Sequence, residues 1–239
     1  EYMDLVRGGL FGPALKLMTV KNALPFLTGT ICAHRCQNKC SRNFYEESVH
    51  IRDTKLVAAE HGYGALMASM KPTAKLPGKK AAIIGGGPTG IAAAYFLARG
   101  GVETTIFERE AKLGGVPRYV IPAFRISDEA LDKDVALMER LGVEVKCGTP
   151  APSVEALKKL GYTHILMATG AWQAGELGIP GNVKGVIGWM KEMKQQVKPC
   201  LEGHVVVVGA GNTAMDAARV AKRMGAASST IVYRRTKKE

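Results

Sequence analysis

The spacing of apolar residues divides the chain into a helical first part and a second part in which strands and helices alternate. From Tyr2 onward, apolar residues recur at helical spacing, and the stretch 53–70 again has a helical pattern. Residues 71–78 contain two prolines and a glycine, which is typical of a linker. Residues 1–75 are therefore predicted to form a mostly helical domain.

After the linker, short apolar runs alternate with amphipathic stretches. Strands are predicted at 81–84, 103–107, 143–146 and 165–168, and helices at 89–99 and 129–141. In the second of these helices, the apolar face is predicted to consist of Leu131, Val135, Met138 and Leu141. Strands separated by helices predict a parallel sheet with right-handed crossovers.

The same order begins again near the end of the chain, with a strand at 204–208, a helix at 212–224 and a strand at 230–233. The predicted fold class is therefore α/β, with two Rossmann-like three-layer domains at 76–180 and 181–239 after the helical one. A single β-α-β unit cannot cover both faces of its sheet. We therefore expect the second of these domains to be completed by a downstream part of the same polypeptide or by a partner subunit.

Composition narrows the range of functions. The chain has 239 residues, of which 46% are hydrophobic and 23% charged, as in ordinary globular proteins. It has no apolar run of the roughly 20 residues needed to span a membrane, and no signal peptide, so we expect a cytoplasmic protein without a membrane partner. The net charge of +12 is accompanied by only 6% aromatic residues and no nucleic-acid-binding motif, so nucleic acid is not an expected partner.

A glycine-rich loop, residues 85–90, follows the first predicted strand and opens a helix. This arrangement points backbone N–H groups and the positive end of the helix at a pyrophosphate. Gly85 allows the tight turn, Gly87 lets the phosphates approach the backbone, and Gly90 permits close packing of helix and strand. The loop therefore predicts a dinucleotide site.

An acidic residue, Glu108, ends the next strand, about 20 residues after the loop, which is the usual spacing. A carboxylate there accepts hydrogen bonds from ribose hydroxyls and repels a 2′-phosphate, which indicates FAD or NAD. Two short motifs, residues 113–115 and 168–170, are typical of flavoproteins with two dinucleotides and favour FAD. The alternative is that the glycines at 85–90 and at 114–115 only form turns.

A second glycine-rich loop, residues 209–214, follows the strand at 204–208. At the end of the next strand, Arg234 and Arg235 stand where an acid would otherwise lie. A guanidinium pairs well with a 2′-phosphate, so this loop indicates NADPH. The alternative is that both arginines are merely exposed charges. Asn212 and Asp216 could either contact the cofactor or cap the helix.

Three of the five cysteines, Cys32, Cys36 and Cys40, lie close together. In a cytosolic chain such a cluster favours metal binding over disulfides. A cubane cluster generally needs four thiolates, and the remaining cysteines lie in the nucleotide-binding region, so this chain does not complete an all-cysteine set. The alternative is three free thiols. His34, inside the cluster, could be a ligand or a local structural residue.

These features in this order resemble the small-subunit family of glutamate synthase. The stretches that carry the resemblance are 24–32, the three cysteines, the two glycine loops, 121–125, 168–171 and 233–235. This family includes the N-terminal part of dihydropyrimidine dehydrogenase and a selenate reductase subunit group, which the chain resembles most. The resemblance implies that the helical domain is of the iron–sulfur type, and that electrons pass from NADPH to FAD, to two [4Fe-4S] clusters and then to a partner domain or subunit.

The resemblance also assigns residues. FAD would be bound by Gly85, Gly87, Pro88, Gly90, Glu108, Arg109, Gly115, Arg125, Thr169 and Gly170, NADPH by Gly209, Gly211, Asn212, Thr213, Arg234 and Arg235, and iron by Cys32, Cys36 and Cys40. Hydride transfer to a flavin depends on orientation, so no acid or base residue is predicted. The resemblance further implies that the family's first cysteine group and the rest of its NADPH domain lie outside this chain.

Two other functions are compatible with dinucleotide binding. A disulfide reductase would need a redox-active Cys-x-x-Cys pair near the flavin, and the sequence has none. A non-enzymatic scaffold would bind a dinucleotide without any NADPH-driven reduction of a flavin. The electron-transfer oxidoreductase is therefore the leading hypothesis.

Overall fold

The chain divides into two compact units in a computed structural model. The first unit comprises Glu1–Gly115 and Arg125–Thr169, and the second comprises Val116–Phe124 and Gly170–Glu239. The domain boundaries predicted at residues 75 and 180 stay predictions. The structure describes residues 1–173, 175 and 177–235.

Helices and strands follow one another largely as the apolar pattern predicts. The α-helices are α1 (Tyr2–Arg7), α2 (Phe11–Met18), α3 (Pro25–Ile31), α4 (Arg35–Asn38), α5 (Ile51–Ser69), α6 (Pro88–Arg99), α7 (Gly115–Tyr119), α8 (Asp128–Glu139), α9 (Val154–Lys159), α10 (Val186–Gln195) and α11 (Asn212–Arg223). The strands are β1 (Lys80–Ile84), β2 (Glu103–Phe107), β3 (Glu144–Lys146), β4 (His164–Met167), β5 (His204–Val208) and β6 (Ser228–Val232).

The N-terminal helices pack around small side chains. Leu15 of α2 and Ala58 of α5 are fully buried, and a Cβ atom on Gly62 would overlap the backbone of Phe11. The helical pattern is broken at Gly8, which ends α1, but not at Pro13, which lies in the first turn of α2. The N–H that proline lacks has no partner in a first turn, so the residue is tolerated there.

The first unit contains a parallel four-stranded sheet in the order β3-β2-β1-β4. Ile84 at the end of β1 lies opposite Phe107 of β2 and Met167 of β4, so these three strands end at the same edge. Helices α6, α8 and α9 form the connections between successive strands. The predicted α/β class with a parallel sheet is confirmed for this unit.

Helix α8 buries a wider face than the sequence pattern indicated. Leu131 and Met138 are buried as predicted, whereas Val135 is only partly buried. Leu137 and Asp134 lie in the interior instead. The reason is that α8 packs against both α3 and α6, so more than one stripe of its surface is covered.

The second unit contains β5 and β6 paired in parallel, and its core is a small cluster that includes Val207, Met190 and Ala217. Val206 and Val208 are 61% and 51% exposed, so one face of this two-stranded sheet is packed and the other is open. Val207 is buried and Val205 is partly buried on the packed face.

The segment 116–124 belongs to this second unit. The Lys194 ammonium of α10 donates a hydrogen bond to the Ile121 carbonyl oxygen at 2.6 Å. The Arg223 guanidinium of α11 lies 4.0 Å from the centre of the Phe124 ring. These cations anchor the segment to both helices of the unit.

None of the helices in the described ranges is both long and apolar enough to cross a membrane.

Candidate functional site

The first glycine loop lies where β1, β2 and β4 end. The Gly85 N–H donates to the Phe107 carbonyl oxygen at 2.8 Å, and the Ala168 N–H donates to the Ile84 carbonyl oxygen at 2.8 Å. Gly85 has a φ of 107°, and a Cβ atom there would overlap the Ala168 carbonyl oxygen. Only glycine satisfies both conditions, because the conformation is left-handed and the backbones touch.

The loop leads directly into α6. Gly87 is the N-cap residue and Pro88 occupies the first helical position, where proline is favoured. A Cβ atom on Gly90 would overlap the Gly85 carbonyl oxygen, so α6 packs directly on the loop. A Cβ atom on Gly87 would meet only the Gly115 Cα, at 3.8 Å, which leaves room for a ligand beside the helix N-terminus. These residues thus fit a pyrophosphate, although its binding stays a prediction.

The Glu108 carboxylate is built into the loop. Glu108 is only 7% exposed. Its Oε2 accepts a hydrogen bond from the Gly86 N–H at 2.6 Å. Oε1 accepts from the Glu110 N–H at 2.9 Å. A carboxylate oxygen has two lone pairs, so each atom retains capacity for a ribose hydroxyl. The bond to Gly86, which was not anticipated from the sequence, gives Glu108 a second role in holding the loop.

Replacing Glu108 with glutamine is expected to weaken dinucleotide binding at the first loop. The amide NH₂ would face one of the two backbone N–H donors, leaving that donor without a partner, at a cost of about 1–3 kcal/mol. We therefore expect FAD affinity to fall about 10- to 100-fold, measured by titration of flavin fluorescence. Glu129→Gln is the matched control, because Glu129 is exposed on α8 and undergoes the same chemical change. Equal affinities for the two variants would contradict the role assigned to Glu108.

The short motif 113–115 supports the loop from the other side. The Gly114 N–H donates to the Gly86 carbonyl oxygen at 2.8 Å. Gly115 has a φ of 55°, and a Cβ atom on it would lie 2.8 Å from the Gly87 Cα. Leu113 is buried. The motif, which is typical of flavoproteins, therefore packs against the first glycine loop and holds its shape.

The remaining residues predicted to bind FAD lie at the surface. Arg109 is 62% exposed and its Nε is 3.8 Å from Glu110 Oε1. Arg125 and Thr169 are also exposed. Gly170, with a φ of 75°, belongs to the second unit. Their contact with a cofactor stays a prediction.

The second loop repeats the geometry of the first. The Gly209 N–H donates to the Val232 carbonyl oxygen at 2.8 Å, and Gly209 has a φ of 124°. Gly211 is the N-cap of α11, and a Cβ atom on it would meet nothing within 4 Å. The next two residues, Asn212 and Thr213, begin the helix and are exposed. This open helix N-terminus fits a second pyrophosphate.

The charged residues near this loop differ from those near the first. Arg234 and Arg235 follow β6 and are exposed. Because β5 and β6 are parallel, the two arginines leave the sheet at the same edge as the glycine loop. Asp216 is buried and lies beyond the first turn of α11, so it is not the N-cap of this helix.

None of the three clustered cysteines forms a disulfide bond. Cys32 and Cys36 are exposed, and Cys40 is partly buried. Hydrogen bonds from the backbone N–H of Val49, and next from that of Arg42, lower the pKa of the Cys40 thiol. Within the described part of the chain, no three His, Cys, Asp or Glu side chains are arranged to hold a metal ion. Iron binding by these cysteines stays a prediction.

His34 takes part in local structure. It has a φ of 40°, and its Nδ1 is 3.1 Å from Arg52 Nη1. A guanidinium only donates, so Nδ1 must accept in this contact. The same nitrogen is 3.2 Å from the Cys32 carbonyl oxygen. This arrangement agrees with the structural alternative for His34.

Comparison with known proteins shows what the chain resembles. Residues 79–238 match the profile described as pyridine nucleotide-disulphide oxidoreductase. The chain is 41% identical to the Escherichia coli K12 protein YgfK, over all of this chain and 24% of that protein. It is 33% identical to the Geobacter sulfurreducens NADPH-Fe(3+) oxidoreductase subunit beta, over all of this chain and 37% of that subunit.

A third relative is the NADPH glutamate synthase small chain of Mycobacterium tuberculosis, with 30% identity over 95% of this chain and 50% of that one. The chain thus spans between about a quarter and a half of these relatives.

Two solved structures share the fold alone. A 2-naphthoyl-CoA reductase gives a TM-score of 0.51 at 17% identity, over 79% of this chain and 32% of that one. Histamine dehydrogenase from Rhizobium gives 0.50 at 19% identity, over 68% of this chain and 25% of that one.

Proposed function

Because this chain belongs to the pyridine nucleotide-disulphide oxidoreductase family and is similar to glutamate synthase small-subunit proteins, as its motifs predicted, we propose that it is an electron-transfer oxidoreductase. It takes reducing equivalents from NADPH at the second loop and passes them to FAD at the first loop. They then go to a partner, which is either another part of the same polypeptide or a separate subunit.

The observation that carries this proposal is the contrast between the two loops. Each lies at the carboxyl end of a parallel β-α-β unit, but Glu108 lies at the first, whereas Arg234 and Arg235 follow the strand beside the second. A carboxylate suits a ribose hydroxyl and a guanidinium suits a 2′-phosphate. Two different dinucleotides, rather than two copies of one, are the occupants that this contrast supports.

A bound flavin supplies the capacity to accept a hydride and to release electrons singly. The residues of this chain bind and orient the two dinucleotides. The backbone can come close to one pyrophosphate because the loop has glycine at Gly85, Gly87 and Gly90. Glu108 accepts hydrogen bonds from the loop and from a ribose. Gly209 and Gly211 allow the same close approach to the other pyrophosphate.

The iron–sulfur part of the prediction is a proposal about ligands only. Cys32, Cys36 and Cys40 would supply three thiolates, and the N–H groups that donate to Cys40 favour the thiolate form at that position. The described residues do not gather these thiols around one point. Iron and acid-labile sulfide in the full-length protein, lost together in a triple Cys→Ser variant, are the expected result.

The function is tested by the absorption spectrum of the full-length polypeptide, purified without oxygen and then titrated with NADPH. We expect flavin bands that bleach with NADPH and much less with NADH. A bound dinucleotide without bleaching would instead support the scaffold. A colourless protein that does not take up FAD on reconstitution would contradict the proposal.

A further inference from the structure

Helices α2 and α3 are joined by a corner, residues 19–24, and the corner and α3 contact α6 and α8 of the first unit. Within the corner, the Leu24 N–H donates to Asn22 Oδ1 at 3.2 Å, and Asn22 Nδ2 donates to Thr28 Oγ1 at 2.8 Å. Both bonds are local and hold the shape of the turn. They do not attach it to the rest of the unit.

One attachment is made at the end of α2. Arg99, the last residue of α6, donates from Nη1 to the Thr19 carbonyl oxygen at 2.7 Å. Thr19 is the C-cap residue of α2 and is buried. The last carbonyl groups of a helix have no partner in the helix itself, and they carry the negative end of its dipole. A guanidinium at this position satisfies both requirements.

The other attachment is made at the start of α3. Asp134 of α8 is 1% exposed; its Oδ1 accepts from the Phe26 N–H at 3.0 Å and its Oδ2 from the Leu27 N–H at 2.7 Å. These are the second and third residues of α3, whose N–H groups lack partners within the helix. The helix's own N-cap residue, Leu24, has no side-chain oxygen. Asp134 therefore performs the capping from a helix more than 100 residues away.

The two attachments hold neighbouring helix ends. The Arg99 guanidinium meets the C-terminal end of α2, which is the favourable sense for the dipole of that helix, and the Asp134 carboxyl group accepts hydrogen bonds from the first N–H groups of α3. Helix α3 ends at Ile31, and Cys32 is its C-cap residue. The position of Cys32 therefore depends on where α3 is held.

We propose that Asp134 and Arg99 are positioning residues that dock the corner and α3, and with them Cys32, onto α6 and α8. The docking follows from the contacts alone. Only its purpose, to hold the first proposed iron ligand in place on the nucleotide-binding unit, rests on the proposed function.

The environment of Asp134 makes the docking dependent on pH. Burial raises the pKa of Asp134 to about 7, against the opposing effect of the hydrogen bonds from Leu27 and Phe26. The other titratable groups nearby are Lys133, whose Nζ lies 5.1 Å from the centre of the Phe26 ring, and Tyr63 of α5. Once α3 detaches, Asp134 returns to its ordinary pKa near 4. Docking is therefore strongest below about pH 4, weakens as the pH rises, and levels off above about pH 7.

The test is hydrogen exchange of the intact chain, followed by mass spectrometry and corrected for the intrinsic effect of pH on exchange. At pH 5, Asp134→Ala is expected to accelerate exchange of the amides in α3 about 100-fold, since two hydrogen bonds are lost at about tenfold each. Peptides from β1 and β2 should keep their protection. Glu129→Ala, at an exposed position on the same helix, is the control.

The pH profile separates positioning from a general loss of stability. The difference between the wild type and Asp134→Ala should shrink by up to about tenfold per pH unit towards pH 7. A difference that does not change with pH, or faster exchange spread evenly over the first unit, would overturn the proposal.

A second variant tests the other attachment in case Asp134→Ala does not fold. Arg99→Met should accelerate exchange in the corner, 19–24, about tenfold, whereas Arg140→Met at an exposed position should not. Unchanged exchange in Arg99→Met would contradict the role of Arg99. In the full-length protein, NADPH-dependent flavin bleaching should stay within about twofold of wild type in both variants. A failure of bleaching in the wild type would refute the proposed function and leave the exchange results valid.

Discussion

Replacing Gly90 with alanine is expected to weaken FAD binding at the first loop severely. The new Cβ atom would overlap the carbonyl oxygen of Gly85, a backbone atom that cannot rotate away as a side chain can. Relief requires α6 to move from the loop, and forced overpacking of this kind costs about 3 kcal/mol or more. We expect a loss of at least about 100-fold in FAD affinity and a lower melting temperature, measured by flavin fluorescence and by circular dichroism.

The control for this substitution is Gly64→Ala in α5. A Cβ atom at Gly64 would meet nothing within 4 Å, and alanine is the better helix former, so stability should rise slightly. The second loop already carries an alanine, Ala214, at the position that corresponds to Gly90. Whether a methyl group is tolerated at this position therefore differs between the two loops. Unchanged FAD affinity in Gly90→Ala would contradict the close packing of α6 on the Gly85 carbonyl group.

Reversing the charge of Arg234 and Arg235 is expected to remove the preference for NADPH. A charge-assisted hydrogen bond to a phosphate contributes about 1.5–3 kcal/mol, so each Arg→Glu variant should lose at least about tenfold in kcat/KM for NADPH. The double variant should lose at least about 100-fold. NADH lacks the 2′-phosphate, so its kcat/KM should change little. The measurement is the initial rate of flavin bleaching with each nucleotide in the full-length protein.

Arg219→Glu provides the matched control, because Arg219 lies on the exposed surface of α11 and undergoes the same change of charge. It should leave the ratio of NADPH to NADH activity unaltered. If all three single variants reduce NADPH activity equally, the effect is one of overall charge rather than of a specific contact. A double variant that keeps its NADPH preference would refute the assignment of the second loop.

Much of the fold could be predicted because its signals are local. The strands Glu103–Phe107 and His204–Val208 have the predicted bounds, and α6 and α11 begin at the glycine loops that were expected to open them. A continuous apolar run after a turn indicates a strand, and a glycine loop before an amphipathic stretch indicates where the helix starts. Neither signal needs a distant partner.

Parts of the site could not be predicted because their partners are distant in sequence. Asp134 interrupts the apolar face of α8, between Leu131 and Met138, and this interruption was the one available sign of a buried carboxyl group. The sequence does not identify its partners at Phe26 and Leu27, because the donors are backbone N–H groups, which every residue except proline has. The same is true of Gly86, whose N–H meets Glu108.

The clustered cysteines show a different limit. Their spacing indicates metal binding, which stays a prediction, because Cys32 and Cys36 are exposed and no three His, Cys, Asp or Glu side chains in the described residues are arranged to hold a metal ion. Spacing along a chain determines how far apart ligands can be, whereas a site also requires the backbone to turn them towards one point.

The sequence by itself determined the α/β class, the order of the elements, the two glycine loops and the opposite charges near them, because each of these depends on neighbouring residues. Only the tertiary structure decided how those loops are held: Glu108 and the motif 113–115 support the first, and Arg99 and Asp134 attach the helical corner. The physical reason is that these supports join backbone groups to side chains far away in the chain, and such pairs come into contact only once the sheet and its helices have packed.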